Sequence, residues 1–214
     1  MSVIQFGKTV SLKQACAIIL ASPENRYHLC GEPGIGKSSL MMMLSSKRPN
    51  HLTSYIDMAS LDLGDALMPW IDKETNSTRY APNARFQLHT GKPVIIMLDE
   101  WSKAMMPVQN MLHPMLEAHN PRLGDIKLHP ESIVFLTGNL STDGVGDNLK
   151  AHTKNRIIKL HVRKPSAEEW LEWAVNNNIH PIVMAWVHQF PHCMASYLDE
   201  GQENNYLIFQ PKLM

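Results

Sequence analysis

The sequence has too little cysteine for a disulfide framework and no apolar run long enough to cross a membrane. Its three cysteines, Cys16, Cys30 and Cys193, are odd in number and scattered along 214 residues, which indicates a reducing compartment. A membrane-spanning helix needs about 20 apolar residues, whereas the runs VIIML and IVFL contain five and four. The first residues also lack the apolar stretch of a signal peptide. We therefore expect a soluble cytoplasmic protein with no membrane partner.

The chain also lacks an excess of charge of either sign. Its 20 lysines and arginines balance 20 aspartates and glutamates, so the strong positive field of proteins that bind nucleic acid without sequence preference is missing. Hydrophobic residues make up 44% and charged residues 19%, which is typical of a folded globular chain and excludes a disordered one. The length is enough for one domain with a small appendage.

Alternating strand and helix signals predict an α/β fold as far as about residue 163, followed by a helical segment. Short apolar runs predict strands over 27–30, 52–58, 94–98, 133–136 and 156–162. Helical spacing and capping residues predict helices over 11–22, 40–44, 103–119, from Ser166 onward and over 181–190. Two segments with polar turns, 70–81 and 122–130, are predicted hairpins.

A glycine-rich loop lies between the first predicted strand and the helix that follows it. Residues 31–38 fit the pattern G-x-x-x-x-G-K-[ST], whose glycines let backbone N–H groups turn toward phosphate oxygens. Lys37 can reach the β and γ phosphates of a nucleotide, and Ser38 can ligate Mg²⁺. The predicted nucleotide-binding residues are Gly31, Glu32, Pro33, Gly34, Ile35, Gly36, Lys37, Ser38 and Ser39.

Acidic and polar residues follow the later strands. Asp99 and Glu100 end the run VIIMLDE and would lie at the carboxyl edge of a parallel sheet, where open α/β folds bind ligands. Asp99 is predicted to hold Mg²⁺, and Glu100 to polarise an attacking water. Asn139 could hydrogen-bond that water or the γ-phosphate, or could simply form a turn. Arg156 is either a candidate arginine finger or an ordinary surface arginine.

The order and spacing of these motifs resemble the AAA+ ATPases, specifically the MoxR-type branch and its short phage or prophage relatives. GEPGIGKSS resembles their Walker A motif, VIIMLDE their Walker B motif and IVFLTGN their sensor 1 segment, while KNRIIKLHV resembles the stretch that carries their arginine finger. The resemblance implies a P-loop NTPase three-layer sandwich over residues 1–164, with a five-stranded parallel sheet in the order 5-1-4-3-2. Residues 165–214 would begin a helical lid.

The same resemblance implies an activity and partners. We expect Mg²⁺-dependent ATP binding and hydrolysis by a homo-oligomer, a hexameric ring, in which Arg156 of one subunit completes the site of its neighbour. The ring would remodel a protein client in the cytoplasm, or in the host cytoplasm if a phage encodes the chain. In relatives the two hairpins face the central pore, so Trp70 and Tyr80 could grip the client or could be a packed cross-strand pair.

Two alternatives to this function stay open. No residue after Pro165 matches the sensor 2 arginine that the family carries in its lid, so either the lid is truncated or the protein works without that arginine. One alternative is therefore a nucleotide-gated protein-interaction module with little turnover. The other is a DNA-acting AAA+ protein such as a helicase loader, against which the neutral net charge argues weakly.

Overall fold

The computed structural model describes residues 9–140, 153 and 155–196. The chain divides after Val162 into two compact units, and all the motifs considered above lie in the first. Within the described residues, no helix is both long enough and apolar enough to cross a membrane. The assignment of residues 165–214 to a partial lid stays a prediction.

The first unit is built on a parallel sheet. Its strands are β1 Tyr27–Cys30, β2 Leu52–Asp57, β3 Leu67–Asp72, β4 Ser77–Pro82, β5 Val94–Asp99, β6 Arg122–Leu123, β7 Ile126–Lys127, β8 Ile133–Gly138 and β9 Ile158–His161. Strands β2, β5, β8, β1 and β9 form a five-stranded sheet in that order, and every neighbouring pair is parallel. If these five strands alone are numbered 1 to 5 along the chain, the order read from β9 to β2 is 5-1-4-3-2, as expected. The predicted fold is therefore confirmed.

Helices cover both faces of this sheet. They are α1 Leu12–Ala21, α2 Ser39–Lys47, α3 Leu63–Ala66 and α4 Met106–Leu112, and the second unit contains α5 Ala167–Asn176 and α6 Pro181–Gln189. The predicted N-terminus of α1 is confirmed, because Ser11 and Gln14 form a capping box there. Ser166 and Glu169 form a second capping box at the start of α5.

The continuous apolar run at 94–98 forms strand β5, which is buried on both of its faces. Its side chains alternate between two hydrophobic cores: Val94, Ile96 and Leu98 pack in one, and Ile95 and Met97 pack in the other. The first core includes residues of α4, and the second includes residues of α1 and α2. A strand buried on both faces needs apolar residues at successive positions, and this burial holds the end of β5 in place.

The helix predicted over 103–119 is wrong in length. The structure has the α-helix α4 only over Met106–Leu112, followed by a 3₁₀ turn over His113–Leu116. Pro114 has no N–H group and its ring collides with the preceding turn, so an α-helix cannot run through it undisturbed. The apolar spacing still indicates the correct face, because Leu112 and Met115 are both fully buried.

Both predicted hairpins are present. Strands β3 and β4 pair antiparallel, as do the short strands β6 and β7. Trp70 lies opposite Arg79, and Tyr80 lies opposite Pro69, so the two aromatic side chains project from opposite faces of the ribbon. Trp70 and Tyr80 are therefore not a cross-strand pair, which corrects one of the two interpretations of these residues.

Candidate functional site

The glycine-rich loop joins β1 to α2, as its sequence context predicted. Gly34 and Gly36 have φ angles of +76° and +89°, a region that L residues with a side chain rarely adopt. A Cβ atom on Gly31 would lie 2.5 Å from the carbonyl oxygen of Val162, so the close approach of the two backbones also requires glycine. Helix α2 begins at Ser39, after the loop has turned.

The loop and the carboxyl edge of the sheet enclose one cleft of about 300 Å³. From the loop it is lined by Pro33, Gly34, Gly36, Lys37 and Ser38. From the ends of β5 and β8 it is lined by Asp99, Glu100, Thr137, Gly138 and Asn139. The loop and the acidic strand end, which are far apart in sequence, therefore face the same space.

The remaining predicted loop residues support this cleft rather than line it. Glu32 and Ile35 are only 6% and 5% exposed, and Ile35 packs in the core between the sheet and α1 and α2. The hydroxyl of Ser39 donates to the carbonyl oxygen of Gly36 at 2.7 Å, which ties the first residue of α2 back to the loop. These contacts hold the loop backbone in its turned conformation.

Lys37 links the loop to the neighbouring strand. Its ammonium group donates to the carbonyl oxygens of Gly31 at 2.7 Å and Glu32 at 2.9 Å, and to the side-chain oxygen of Asn139 at 3.2 Å. Asn139 is thus within hydrogen-bond distance of the positive charge that the motif supplies. An anionic ligand in the cleft would meet this ammonium group together with a neighbouring amide.

The carboxylate of Asp99 is held by two hydroxyl groups that the sequence analysis missed. Thr137 on β8 donates to one carboxylate oxygen, and Tyr55 on β2 donates to the other at 2.7 Å. The hydrogen bond to Asp99, followed by partial burial and the nearby carboxylates of Asp99, Asp57 and Glu100, raises the pKa of Tyr55 to about 12. Tyr55 therefore remains a proton donor at neutral pH.

Glu100 adopts an unusual backbone conformation at the end of β5. Its φ angle is +54°, which is rare for a residue with a side chain, and its N–H group donates to the Thr137 hydroxyl at 3.2 Å. Its carboxylate forms an ion pair with Lys103 at 2.7 Å. Glu100 thus lines the cleft with its charge already partnered.

Arg156 lies apart from these residues. It precedes β9, which begins at Ile158, so the predicted strand over 156–162 starts too early. Its guanidinium group lies 2.5 Å from Nδ1 of His113 and 3.6 Å from the carboxylate of Glu117. The structure of one chain does not bring Arg156 to the cleft, and its predicted role in the site of a neighbouring subunit stays a prediction.

The oxygen atoms at the cleft are chemically suited to magnesium. Ser38 and Asp99 both line it and offer a hydroxyl and a carboxylate, and Mg²⁺ prefers oxygen ligands with several sites left for water and phosphate. Among the described residues, no group of three or more histidines, cysteines, aspartates and glutamates is arranged to hold a metal by itself. Ser38 and Asp99 therefore offer two oxygen ligands of the kind that Mg²⁺ binds.

Comparisons with known proteins identify similar folds. No protein-family model and no curated protein matches the chain. A candidate ATPase from Cytophaga hutchinsonii superposes with a TM-score of 0.53 and 18% identity over 78% of this chain. NtrX from Brucella abortus, solved in complex with ADP, superposes with a TM-score of 0.52 and 15% identity over 79% of this chain.

These similarities concern the fold alone, because the identities are low. The matched region makes up 50% of the Cytophaga protein and 41% of NtrX, so the chain spans about half the length of these structures or less. Their similarity to this chain supports the three-layer α/β arrangement that carries the cleft.

Proposed function

We propose that the chain binds and hydrolyses ATP with Mg²⁺ as an AAA+ ATPase of the MoxR type. The observation that carries this proposal is the shared cleft, in which Lys37 of the glycine-rich loop contacts Asn139 and faces Asp99 at the end of the adjacent strands. A loop of this pattern between a strand and a helix is suited to phosphate, and the acidic strand end is suited to its metal.

Each residue has a distinct role in the proposed reaction. The loop backbone and Lys37 would bind the phosphates, and Ser38 and Asp99 would hold Mg²⁺, which when bound would neutralise charge on the phosphate oxygens. Glu100 would accept a proton from the attacking water, and Asn139 would orient that water or the γ-phosphate. To act as a base, Glu100 would either break its ion pair with Lys103 or accept the proton on the carboxylate oxygen that Lys103 does not contact.

The structural neighbours support nucleotide binding in this fold. NtrX was solved with ADP, and the Cytophaga protein is a candidate ATPase. The two hairpins and the strand order of the parallel sheet also agree with the arrangement that the resemblance to AAA+ proteins implies. We extend the proposal to a hexameric ring that remodels a protein client, with Arg156 acting on the nucleotide of the adjacent subunit.

A nucleotide-gated interaction module with little turnover is the second candidate. It is favoured by the contacts of the charged groups in the single chain, where Lys103 forms an ion pair with Glu100 and where Arg156 contacts His113 and Glu117. Such a subunit would bind ATP but hydrolyse it slowly. A DNA-acting AAA+ protein is less well supported, since the net charge of the chain is zero.

Binding and phosphate release by two variants test the proposal. Lys37→Ala should weaken ATP binding by at least tenfold, because it removes the ammonium group that faces the phosphates. Glu100→Gln should retain ATP binding and lower phosphate release by about 10²–10⁴, the contribution of a general base. Glu168→Gln, at an exposed position in the second unit, serves as the matched control and should change neither.

The outcomes separate the two candidates. If Lys37→Ala binds ATP as well as the wild type, the cleft is not the nucleotide site and both candidates fail. If an assembled sample binds ATP but wild type and Glu100→Gln release phosphate equally slowly, the ATPase is excluded and the interaction module is favoured.

A further inference from the structure

The carboxylate of Asp99 is held from both sides by hydroxyl groups of neighbouring strands. In the sheet β5 lies between β2 and β8, and Asp57 of β2 pairs directly with Asp99. Tyr55 lies two positions before Asp57 and therefore on the same face, so its long side chain reaches along the strand to Asp99. The phenol donates to Oδ2 at 2.7 Å, while Thr137 donates to Oδ1.

The two hydroxyls have different surroundings. Thr137 is fully buried, and its oxygen also accepts the N–H group of Glu100, so it is part of the folded framework. Tyr55 is 50% exposed and lies on β2, which is one of the two edge strands of the sheet. A half-exposed ring contributes little to the core, so the contact of its hydroxyl with Asp99 is the more specific feature of this residue.

We propose that Tyr55 is a positioning residue that fixes the carboxylate of Asp99 for binding of the magnesium-nucleotide complex. This inference rests on the proposed function of the cleft. A carboxylate held by two donors on fixed strands keeps one orientation, and its remaining lone pairs stay directed toward the cleft. Hydrogen-bond partners of metal ligands act in this way in many proteins, and their loss typically weakens metal affinity by about 10- to 100-fold.

Nucleotide titrations with and without magnesium test this role. The dissociation constant of ADP is measured by calorimetry in excess Mg²⁺ and again in EDTA, for the wild type and for Tyr55→Phe. The variant keeps the ring and loses only the hydroxyl, so we expect it to fold. The factor by which Mg²⁺ tightens ADP binding should be about tenfold smaller in the variant than in the wild type. The dissociation constant measured in EDTA should be unchanged.

Tyr27→Phe is the matched control for loss of a tyrosine hydroxyl. The Tyr27 hydroxyl donates to the carbonyl oxygens of Ser22 at 3.0 Å and Ile18 at 3.4 Å, near the end of α1, and it takes no part in the cleft. This variant should unfold at a lower temperature than the wild type and should keep the full effect of Mg²⁺ on ADP affinity. Stability and positioning are thereby measured separately.

A double-mutant cycle tests whether Tyr55 acts through Asp99. In an Asp99→Asn background, Tyr55→Phe should change the Mg²⁺-linked affinity by less than twofold, because the group that it positions has been replaced. An unchanged or tighter Mg²⁺-linked affinity in the Tyr55→Phe single variant would overturn the inference. So would an equal loss in Mg²⁺ and EDTA, or an undiminished effect in the Asp99→Asn background.

Failure of the proposed function has a different signature. If the wild type binds no ADP, or binds it without any effect of Mg²⁺, the cleft itself has been assigned wrongly and the role of Tyr55 is lost with it. If Mg²⁺ tightens ADP binding equally in the wild type and in Tyr55→Phe, the cleft assignment stands and only the positioning role of Tyr55 is excluded.

Discussion

Strand β5 and the hairpin β3–β4 contain similar apolar residues in opposite surroundings. The side chains of Val94–Leu98 are fully buried, whereas Met68, Trp70 and Ile71 of the hairpin are 60%, 49% and 68% exposed. Strand β5 has a paired strand on each side and a core on each face, whereas β3 has one partner. The comparison shows that the number of paired strands and packed faces, rather than composition, decides whether an apolar residue is buried in this fold.

The hairpin is held by a few specific contacts. The N–H group of Tyr80 donates to the carboxylate of Asp125 at 2.8 Å, and the N–H group of Asp125 donates to the carbonyl oxygen of Tyr80 at 3.1 Å. Gly124 packs against the same carbonyl. The turn between β6 and β7 therefore contacts the backbone of β4, and the apolar side chains of the hairpin stay exposed.

The largest expected difference in the free energy of unfolding is between an isoleucine-to-alanine substitution in β5 and the same substitution in the hairpin. Ile96→Ala in β5 should lower the free energy of unfolding by about 2–5 kcal/mol, since it leaves a cavity in a closed core. Ile71→Ala in β3 should change it by less than about 0.5 kcal/mol, since the side chain is already in water. Urea unfolding measures both. Equal costs would contradict the contrast between β5 and the hairpin.

A smaller effect is expected at Gly124, where the turn between β6 and β7 contacts β4. Gly124→Ala should lower the free energy of unfolding by about 2–4 kcal/mol, because the φ angle of +56° disfavours alanine and the new Cβ would lie 2.4 Å from the Tyr80 carbonyl oxygen. Gly91→Ala is the control, since Gly91 has a φ of +66° and open space around it, so only about 1–2 kcal/mol should be lost. If both variants lose the same amount, the contact between the hairpins contributes nothing.

The smallest effect concerns the carboxylate of Asp125. Asp125→Ala should lower the free energy of unfolding by about 1 kcal/mol at most, because the hydrogen bond is exposed to solvent. Hydrogen exchange of the Tyr80 amide is the more sensitive measurement and should become faster. Asp125→Asn retains an acceptor oxygen and should largely restore protection. Unchanged exchange in the alanine variant would show that the Asp125 carboxylate does not hold β4.

Local patterns were sufficient for much of the fold. The capping box at Ser11, the apolar run of β5 and the two hairpins lie where the sequence predicted them, because each depends on residues close together in the chain. The helix over 103–119 was predicted too long because its apolar spacing is correct while Pro114 interrupts the backbone. Periodicity reports which face is buried and does not report where the α-helix ends.

The site was predicted in part for a similar reason. The glycine-rich loop and the acidic strand end carry recognisable patterns, and the structure places Lys37, Asp99 and Asn139 at one cleft. Thr137 could have been found, since it lies within the same short segment as Asn139. Tyr55 could not, because its contact with Asp99 joins two strands and depends on their register.

The order of residues alone determined which segments become strands, which loop turns on glycines and which carboxylates follow a buried strand, since these depend on local backbone preferences and on apolar spacing. Only the tertiary structure decided which hydroxyls hold Asp99 and that His113 contacts Arg156. Most of these contacts join residues far apart in the chain. Their geometry depends on how distant segments pack against each other, and the residues of one segment alone do not determine that packing.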